Sequence, residues 1–213
     1  MAQTSAPKWR RRKEARPGDI VAAALQVFAE RGFAAAKLDE IANRAGVSKG
    51  TLYLYFDSKE ALFRAVVRDV VVPNVEAVKA ALLATDMSLS AMVRAFLPRF
   101  AEIVTRLPIG AVAKMVIGES RNFPELAKVW HDNVVLKAVG LLADLLERAQ
   151  ARGEVRAGDP RIQAFSIMGP MLIGVLWRET FTPVGGAAID LAAVARQHAE
   201  TVLGGLLTRE ETP

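Results

Sequence analysis

The spacing of the apolar residues constrains this chain most. From Pro17 onward, apolar side chains recur every three to four positions, which is the repeat of one face of an α-helix. Runs that alternate apolar and polar residues between turn signals, the pattern typical of β-strands, are missing. The sequence therefore predicts an all-α protein with about nine helices.

Composition narrows the class of protein further. The chain has no cysteine, which excludes disulfides and cysteine-ligated metal sites and fits a reducing compartment. Its longest uncharged apolar stretch, 162–177, falls short of the roughly 20 residues that cross a membrane. No secretory signal follows the basic first residues. We therefore expect a cytoplasmic protein without a membrane span, a cofactor or a metal.

The positive charge is concentrated at one end of the chain. Residues 1–64 hold 12 Lys and Arg against 7 Asp and Glu, whereas residues 65–213 hold 16 of each. All of the net charge of +5 therefore lies in the first third. A basic end on a neutral body indicates a polyanion as partner, although a solvated basic tail that aids solubility gives the same count.

Residues 1–16 are predicted to form a flexible arm. The arm is rich in basic residues, including Arg10, Arg11 and Arg12. Such arms enter a minor groove or contact phosphates without reading sequence, and we favour the second interpretation. A tail that only aids solubility stays open as an alternative.

Two short helical patterns flank Gly46. The first covers 38–45, and the second runs to about Leu54 after Ser48, a residue type that caps helices. Two short helices joined by a glycine-containing turn predict a helix-turn-helix. The second helix is slim and polar enough to enter the major groove of DNA.

The polar side chains around this second helix are the candidate DNA contacts. Hydroxyls of serine and threonine reach bases or phosphates, lysines and tyrosine hydroxyls reach phosphates, and glycine lets the backbone approach closely. Leu52 and Phe56 are expected to point into the core. The candidates are Ser48, Lys49, Gly50, Thr51, Tyr53, Tyr55 and Lys59.

A fourth helix is predicted to begin at the sequence DSKEAL, with Asp57 or Ser58 as its cap. Pro73 is expected to kink or break it. These patterns divide the chain into the arm at 1–16, a head at 17–64 and a body at 65–213. The body carries longer helical patterns throughout.

Three stretches together resemble a known family. They are IVAAALQVFAERGF, LDEIANRAGVSKGTLYLYF and DSKEALFRAVV, and they are similar to the N-terminal DNA-binding domain of TetR-family transcriptional regulators. The resemblance implies a homeodomain-like three-helix head and a larger helical domain that binds an effector and forms a dimer. Where the family places hydroxyl residues before the second helix, this chain has Ala36 and Lys37. Lys37 is a candidate phosphate contact in their place.

The resemblance also directs attention to two sets of residues in the body. Apolar residues on the last two predicted helices are candidates for a dimer interface: Ile162, Gly169, Leu172, Ile173, Leu176, Leu191, Val194, His198 and Val202. Met, aromatic and histidine side chains are candidates for an effector pocket, although ordinary core packing explains them equally well. This second set is Phe96, Phe100, Met115, Trp130, His131, Phe165, Met168 and Trp177.

These features favour a homodimeric regulator that binds a pseudo-palindromic operator in double-stranded DNA. We expect a repressor that a small, largely apolar effector releases from the operator. Two alternatives stay open: an all-α enzyme with an incidental helix-turn-helix, and a helical module that binds only proteins. The enzyme is disfavoured because no catalytic motif is recognisable, and the module because the basic charge lies on the helix-turn-helix.

Overall fold

The computed structural model describes residues 17–84 and 87–208, and this part of the chain forms nine helices, which confirms the predicted all-α fold. Seven of them are single segments: α1 Pro17–Ala35, α2 Leu38–Arg44, α3 Lys49–Tyr55, α5 Leu89–Arg106, α6 Ile109–Glu119, α8 Pro160–Thr180 and α9 Leu191–Leu206. Helix α4 consists of three consecutive segments, Lys59–Val66, Val67–Val71 and Val72–Leu83. Helix α7 likewise consists of Pro124–Trp130, His131–Val135 and Leu136–Ala151.

Helices α1 to α3 and the start of α4 enclose the core of the head. Phe28, Phe33 and Phe63 are fully buried, and their ring centroids lie 5.5 to 6.1 Å apart. Burial of each ring stabilises the fold by about 2 kcal/mol. Helices of seven residues such as α2 and α3 are marginal in isolation, so they depend on this shared core.

The turn between α2 and α3 has the predicted geometry. Gly46 has a φ of 72°, a region that favours glycine because it has no Cβ. Val47 follows and is buried between the two helices. The confirmed turn therefore sets the angle between α2 and α3.

The sequence predicts a kink or a break at Pro73; helix α4 passes through Pro73 without a break, so the second alternative is wrong. The segment Val67–Val71 is a π-helical turn, in which the N–H of Val72 donates to the carbonyl of Val67. The wider turn accommodates a residue that has no N–H. The side-chain amide of Asn74 donates to the carbonyl of Val70 at 2.7 Å. One continuous helix therefore joins the head to the body.

The body is a bundle with a core of its own. Helices α5, α7, α8 and α9 bury leucine, valine and alanine side chains against one another. Leu146, Ile167 and Leu97 are fully excluded from solvent at its centre. Asp190 caps α9 by accepting hydrogen bonds from the N–H groups of Ala192 and Ala193.

The core of the head continues into the body. Val112, Met115 and Val116 of α6 and Leu126 of α7 belong to the same buried cluster as the three phenylalanines. The head is thus packed against α6 and α7 as well as tethered through α4. The domain boundary after residue 64 stays a prediction.

Within residues 17–84 and 87–208, no helix combines the length and the apolar character that a membrane span requires.

Candidate DNA interface and effector groove

The hydroxyl of Ser48 caps the first turn of α3. It accepts a hydrogen bond from the backbone N–H of Thr51 at 3.0 Å, which confirms the predicted cap. The hydroxyl oxygens of Ser48 and Thr51 lie 2.8 Å apart. Both hydroxyls therefore take part in hydrogen bonds inside the head, and one of their two hydrogens stays free to contact DNA without loss of the cap.

Lys49 forms an ion pair between α3 and α2. Its Nζ lies 2.8 Å from Oδ1 of Asp39, and this hydrogen bond raises the pKa of the lysine above its ordinary value. Both side chains are more than half exposed, and an exposed ion pair is weak. Lys49 therefore stays a predicted phosphate contact.

Three consecutive side chains project from α3 into solvent. Tyr53 and Tyr55 are 43% and 48% exposed, and Leu54 between them is 82% exposed. Leu52 lies on the opposite face and is buried, as predicted. No role was predicted for Leu54, since only Leu52 and Phe56 of this stretch were expected in the core. The helical repeat does indicate that Leu54 faces outward, because it lies two positions after the buried Leu52 and so on the opposite side of the helix.

The start of α2 agrees with the departure seen in the sequence. Lys37 precedes this helix, is exposed and provides no side-chain cap. Asp39 and Glu40 in the first turn complement the positive end of the helix dipole. Lys37 remains a predicted phosphate contact. Arg10, Arg11 and Arg12 lie outside the described residues.

Lys59 has a different place from the one predicted. Its ammonium group donates hydrogen bonds to the backbone carbonyls of Phe33, Ala34 and Ala36 and lies 4.6 Å from the centre of the Phe33 ring. An ammonium group has three hydrogens to donate, and three carbonyls receive them. We therefore remove Lys59 from the phosphate contacts and assign it to the link between α1 and α2.

Glu119 holds the same link from the other side. Its carboxylate accepts hydrogen bonds from the N–H groups of Phe33 and Ala34, at 2.8 and 2.7 Å. Gly32 has a φ of 77°, and a Cβ at this position would lie 2.5 Å from Oε1 of Glu119. Glu119 is the last residue of α6, so these two hydrogen bonds connect the body to the turn that follows α1 in the head. No local pattern predicts this contact, since Glu119 lies more than 80 residues from Phe33 and Ala34.

A groove of about 380 Å³ opens between the last part of α4 and α5. Its walls are mainly apolar, with a polar group at Asn74 and a positive charge at Arg99, which also pairs with Glu102. Small-molecule sites in proteins have this size and this mixture of apolar walls and a few polar groups. The lining residues are Asn74, Ala77, Val78, Ala81, Leu82, Met87, Ala95, Phe96, Arg99 and Ile103.

The predicted pocket residues do not meet in one cavity. Phe96 lines the groove, and Phe100 packs against Phe96 with ring centroids 6.3 Å apart. Met115 is buried in the core shared by head and body, and Trp130 packs against that core. The prediction is corrected for these two, because α6 and the first part of α7 turn toward the head.

The other predicted pocket residues are also away from the groove. His131 is exposed and its Nδ1 lies 2.9 Å from Oδ1 of Asp132. Met168 packs against the core of the body. Phe165 is 61% exposed on α8, and the indole N–H of Trp177 donates to the carbonyl of Ala187. Residue type alone predicted pocket positions for Phe165 and Trp177, whereas both lie on the outer face of α8.

That outer face of α8 carries most of the predicted dimer contacts. Ile162, Leu172 and Ile173 are 66%, 41% and 63% exposed. Gly169, Leu176, Val194, His198 and Val202 are half-buried. Leu191 is buried within its own protomer, where its side chain packs on Gly174, so this residue is corrected to the core.

The helix-turn-helix head on a helical body defines a DNA-binding protein. Residues 20–66 match the bacterial regulatory proteins of the tetR family, and residues 83–195 match the tetracyclin repressor-like, C-terminal domain. The chain therefore belongs to the TetR family of transcriptional regulators. As a member of this family it binds operator DNA and a small-molecule effector and forms a homodimer.

Individual relatives extend the comparison. The chain is 45% identical to the HTH-type transcriptional activator FasR of Mycolicibacterium smegmatis over 87 residues, 39% of this chain and 40% of FasR. It is 29% identical to the HTH-type transcriptional regulator RutR of Escherichia coli O157:H7 over 166 residues, 76% of this chain and 70% of RutR. The crystal structure of FadR from Bacillus subtilis, in complex with stearoyl-CoA, has a TM-score of 0.75 and 20% identity, covering 89% of this chain and 99% of FadR.

Proposed function

We propose that this protein is a cytoplasmic transcriptional repressor, not an enzyme, that a largely apolar ligand in the α4–α5 groove releases from its operator. One observation carries the proposal. Helix α4 lines the groove with Val78 and Leu82 and, at its other end, buries Leu62 and Phe63 in the head. A ligand that moves the groove end of this continuous helix therefore moves the head.

The lining of the groove favours a ligand with a long apolar part and a polar or acidic end. Alanine, valine and leucine side chains accept an alkyl chain without an unpaired polar group. Arg99 supplies a charge suited to a carboxylate or a phosphate. FadR has a similar fold and binds stearoyl-CoA. We therefore propose an acyl thioester or a related fatty-acyl compound as the ligand class.

We propose that release from DNA is a shift between two states of the dimer. Recognition helices of a dimer fit successive major grooves only at one spacing of the heads. A ligand that binds better to another spacing lowers the population of the DNA-binding state. Lys37, Lys49, Tyr53 and Tyr55 are the proposed phosphate contacts of each head.

An activator is the second candidate, because FasR is named an activator and is 45% identical over the matched residues. The two candidates share the same DNA contacts and the same groove. They differ in whether the DNA-bound protein blocks or recruits the polymerase. Transcription in vitro from the bound promoter, with and without the protein, separates them.

The groove is tested by filling it. Ala81→Trp places a bulky side chain in the groove, and Ala80→Trp, on the neighbouring exposed position of α4, is the matched control. Binding to a fluorescent duplex of the upstream intergenic region is measured by anisotropy while stearoyl-CoA is added. We expect the ligand to release wild-type protein and the Ala80→Trp variant, and to leave the Ala81→Trp variant bound.

Free coenzyme A serves as the control for the polar part of the ligand. Release of all three proteins alike by stearoyl-CoA would place the ligand outside this groove. An absence of any response in the wild-type protein would contradict an acyl thioester as the effector. Loss of DNA binding by Ala81→Trp before ligand is added would mean that occupation of the groove alone imposes the released state.

A further inference from the structure

The outer surface of α3 presents one apolar side chain that the rest of the described residues leave almost uncovered. Leu54 is 82% exposed, the largest exposed fraction among the large apolar side chains of the described residues. A single exposed leucine on an ordinary surface needs no explanation. This one projects from the helix that enters the major groove, between two tyrosines.

The polar side chains of the same helix are already engaged. The hydroxyls of Ser48 and Thr51 bond to each other at the cap, and Lys49 pairs with Asp39. These bonds hold the side chains in place and use part of their hydrogen-bonding capacity, so that one hydroxyl hydrogen of the Ser48–Thr51 pair and at least one ammonium hydrogen of Lys49 stay free for DNA. Leu54 gives up nothing to protein when it meets a base, and it gains by leaving water.

We propose that Leu54 reads a thymine in each half-site by packing on its 5-methyl group. Thymine is the one base that presents a methyl group in the major groove, and apolar side chains recognise it by contact. The tyrosines on either side then position the helix through phosphates and carry little sequence information. This inference rests on the DNA-binding function stated above and adds the base that the head selects.

The contact has a defined size. Burial of one methyl group against a leucine corresponds to about a four-fold change in affinity, and two half-sites bound by a dimer give about fifteen-fold. Deoxyuridine is thymidine without this methyl group and keeps the same hydrogen-bonding edge. Replacement of thymidine by deoxyuridine therefore removes the proposed contact and nothing else.

The experiment uses the full chain and a duplex selected from random oligonucleotides by the wild-type protein. Each symmetry-related pair of thymidines is replaced in turn by deoxyuridine, and affinities are measured by anisotropy at fixed salt. For the wild-type protein we expect one pair whose replacement lowers affinity about fifteen-fold. The Leu54→Ala variant should bind the thymidine and deoxyuridine duplexes equally at that pair.

Tyr55→Phe is the matched control on the neighbouring position. It removes the hydroxyl proposed to contact phosphate, so it should weaken binding to every duplex by the same factor and keep the response to deoxyuridine. Thermal unfolding by circular dichroism shows whether each variant is folded. The substitution at Leu54 removes exposed atoms and should leave the transition unchanged.

Two results would overturn the proposal while leaving DNA binding intact. One is a Leu54→Ala variant that still discriminates thymidine from deoxyuridine at the sensitive pair. The other is a wild-type protein insensitive to deoxyuridine at every position, which would assign Leu54 to a sugar contact or to a protein partner. Failure of the wild-type protein to select any duplex would instead contradict the DNA-binding function itself.

Discussion

At the scale of single residues, Lys59 shows how a side chain that looks suited to DNA can belong to the fold. Its ammonium group donates to the carbonyls of Phe33 and Ala34 at the end of α1 and of Ala36 just beyond it, where a helix leaves carbonyl groups without internal partners. Lys59→Met keeps the apolar stem and removes the charge. We expect a loss of about 2 kcal/mol in the free energy of unfolding, because charged hydrogen bonds disappear and carbonyls lose their partners.

Urea denaturation measures this loss, and Lys49→Met, which removes an exposed ion pair, is the comparison. We expect Lys49→Met to change the free energy of unfolding by less than about 1 kcal/mol. A Lys59→Met variant as stable as the wild type, with weakened DNA binding, would restore Lys59 to the phosphate contacts.

The sequence predicts residue roles where the interaction is local. Ser48 could be identified as a cap because its partner Thr51 lies three positions away in the same short helix. Lys59 bonds to residues 23 to 26 positions earlier, and the exposure of Leu54 depends on which face of α3 the head covers. Both depend on tertiary packing, which spacing alone does not determine.

At the scale of elements, capping residues and glycines predict where helices end, but they do not predict that α4 continues past Pro73. Pro73 stops a helix in isolation, because it lacks an N–H and collides with the preceding turn. The packed π-turn at Val67–Val71 overrides that preference. The loss of one local hydrogen bond is offset by continuous burial of Val66, Val67 and Val71.

The contact between α6 and the head predicts a non-additive pair of substitutions. Gly32→Ala introduces a Cβ at a φ of 77° and 2.5 Å from Glu119, which should cost about 2 kcal/mol. Glu119→Ala removes two hydrogen bonds from backbone N–H groups and should cost a similar amount. The double variant should lose less than the sum, because the collision disappears with the carboxylate. Urea denaturation of the four proteins tests this, and additive losses would contradict a direct contact.

Glu154 makes the start of α5 sensitive to pH. Its carboxylate pairs with Arg152 at 2.6 Å and accepts the N–H of Leu89 at 2.9 Å, and these two contacts hold the pKa of Glu154 below its ordinary value of 4.5. A lowered pKa in the folded state stabilises the fold above the ordinary pKa, and the gain disappears as pH falls through the folded pKa. We expect Glu154→Gln to lose about 1 kcal/mol at pH 7.

The same comparison at low pH checks the sign. The difference in the free energy of unfolding between wild type and Glu154→Gln should shrink steadily below pH 4.5, where the wild-type carboxylate takes up a proton. Glu147→Gln, at an exposed position on α7, is the matched control for the loss of one carboxylate. A difference that grew on acidification would contradict the assigned contacts.

At the scale of the whole molecule, the outer face of α8 is the part that the monomer leaves incomplete. Ile162, Phe165 and Ile173 are more than 60% exposed along one helix, and an apolar surface of this kind marks an association site. The family resemblance together with the apolar character of α8 predicts this face, and its role as the dimer interface stays a prediction. These features do not exclude Leu191, because only the close approach of α9 to Gly174 shows that this leucine is used within the protomer.

The face predicts how dimer formation and DNA binding are linked. Ile173→Glu places a charge in the predicted interface, and an unpaired buried charge strongly disfavours association. Ile117→Glu is the matched control, because Ile117 of α6 is 53% exposed and lies off this face, whereas Ile173 is 63% exposed. We expect sedimentation to show a monomer for Ile173→Glu and a dimer for the wild type and Ile117→Glu. Affinity for a two-half-site duplex should fall at least about ten-fold for Ile173→Glu alone, because one head then binds without its partner. A dimeric Ile173→Glu variant with full affinity would assign the interface to another surface.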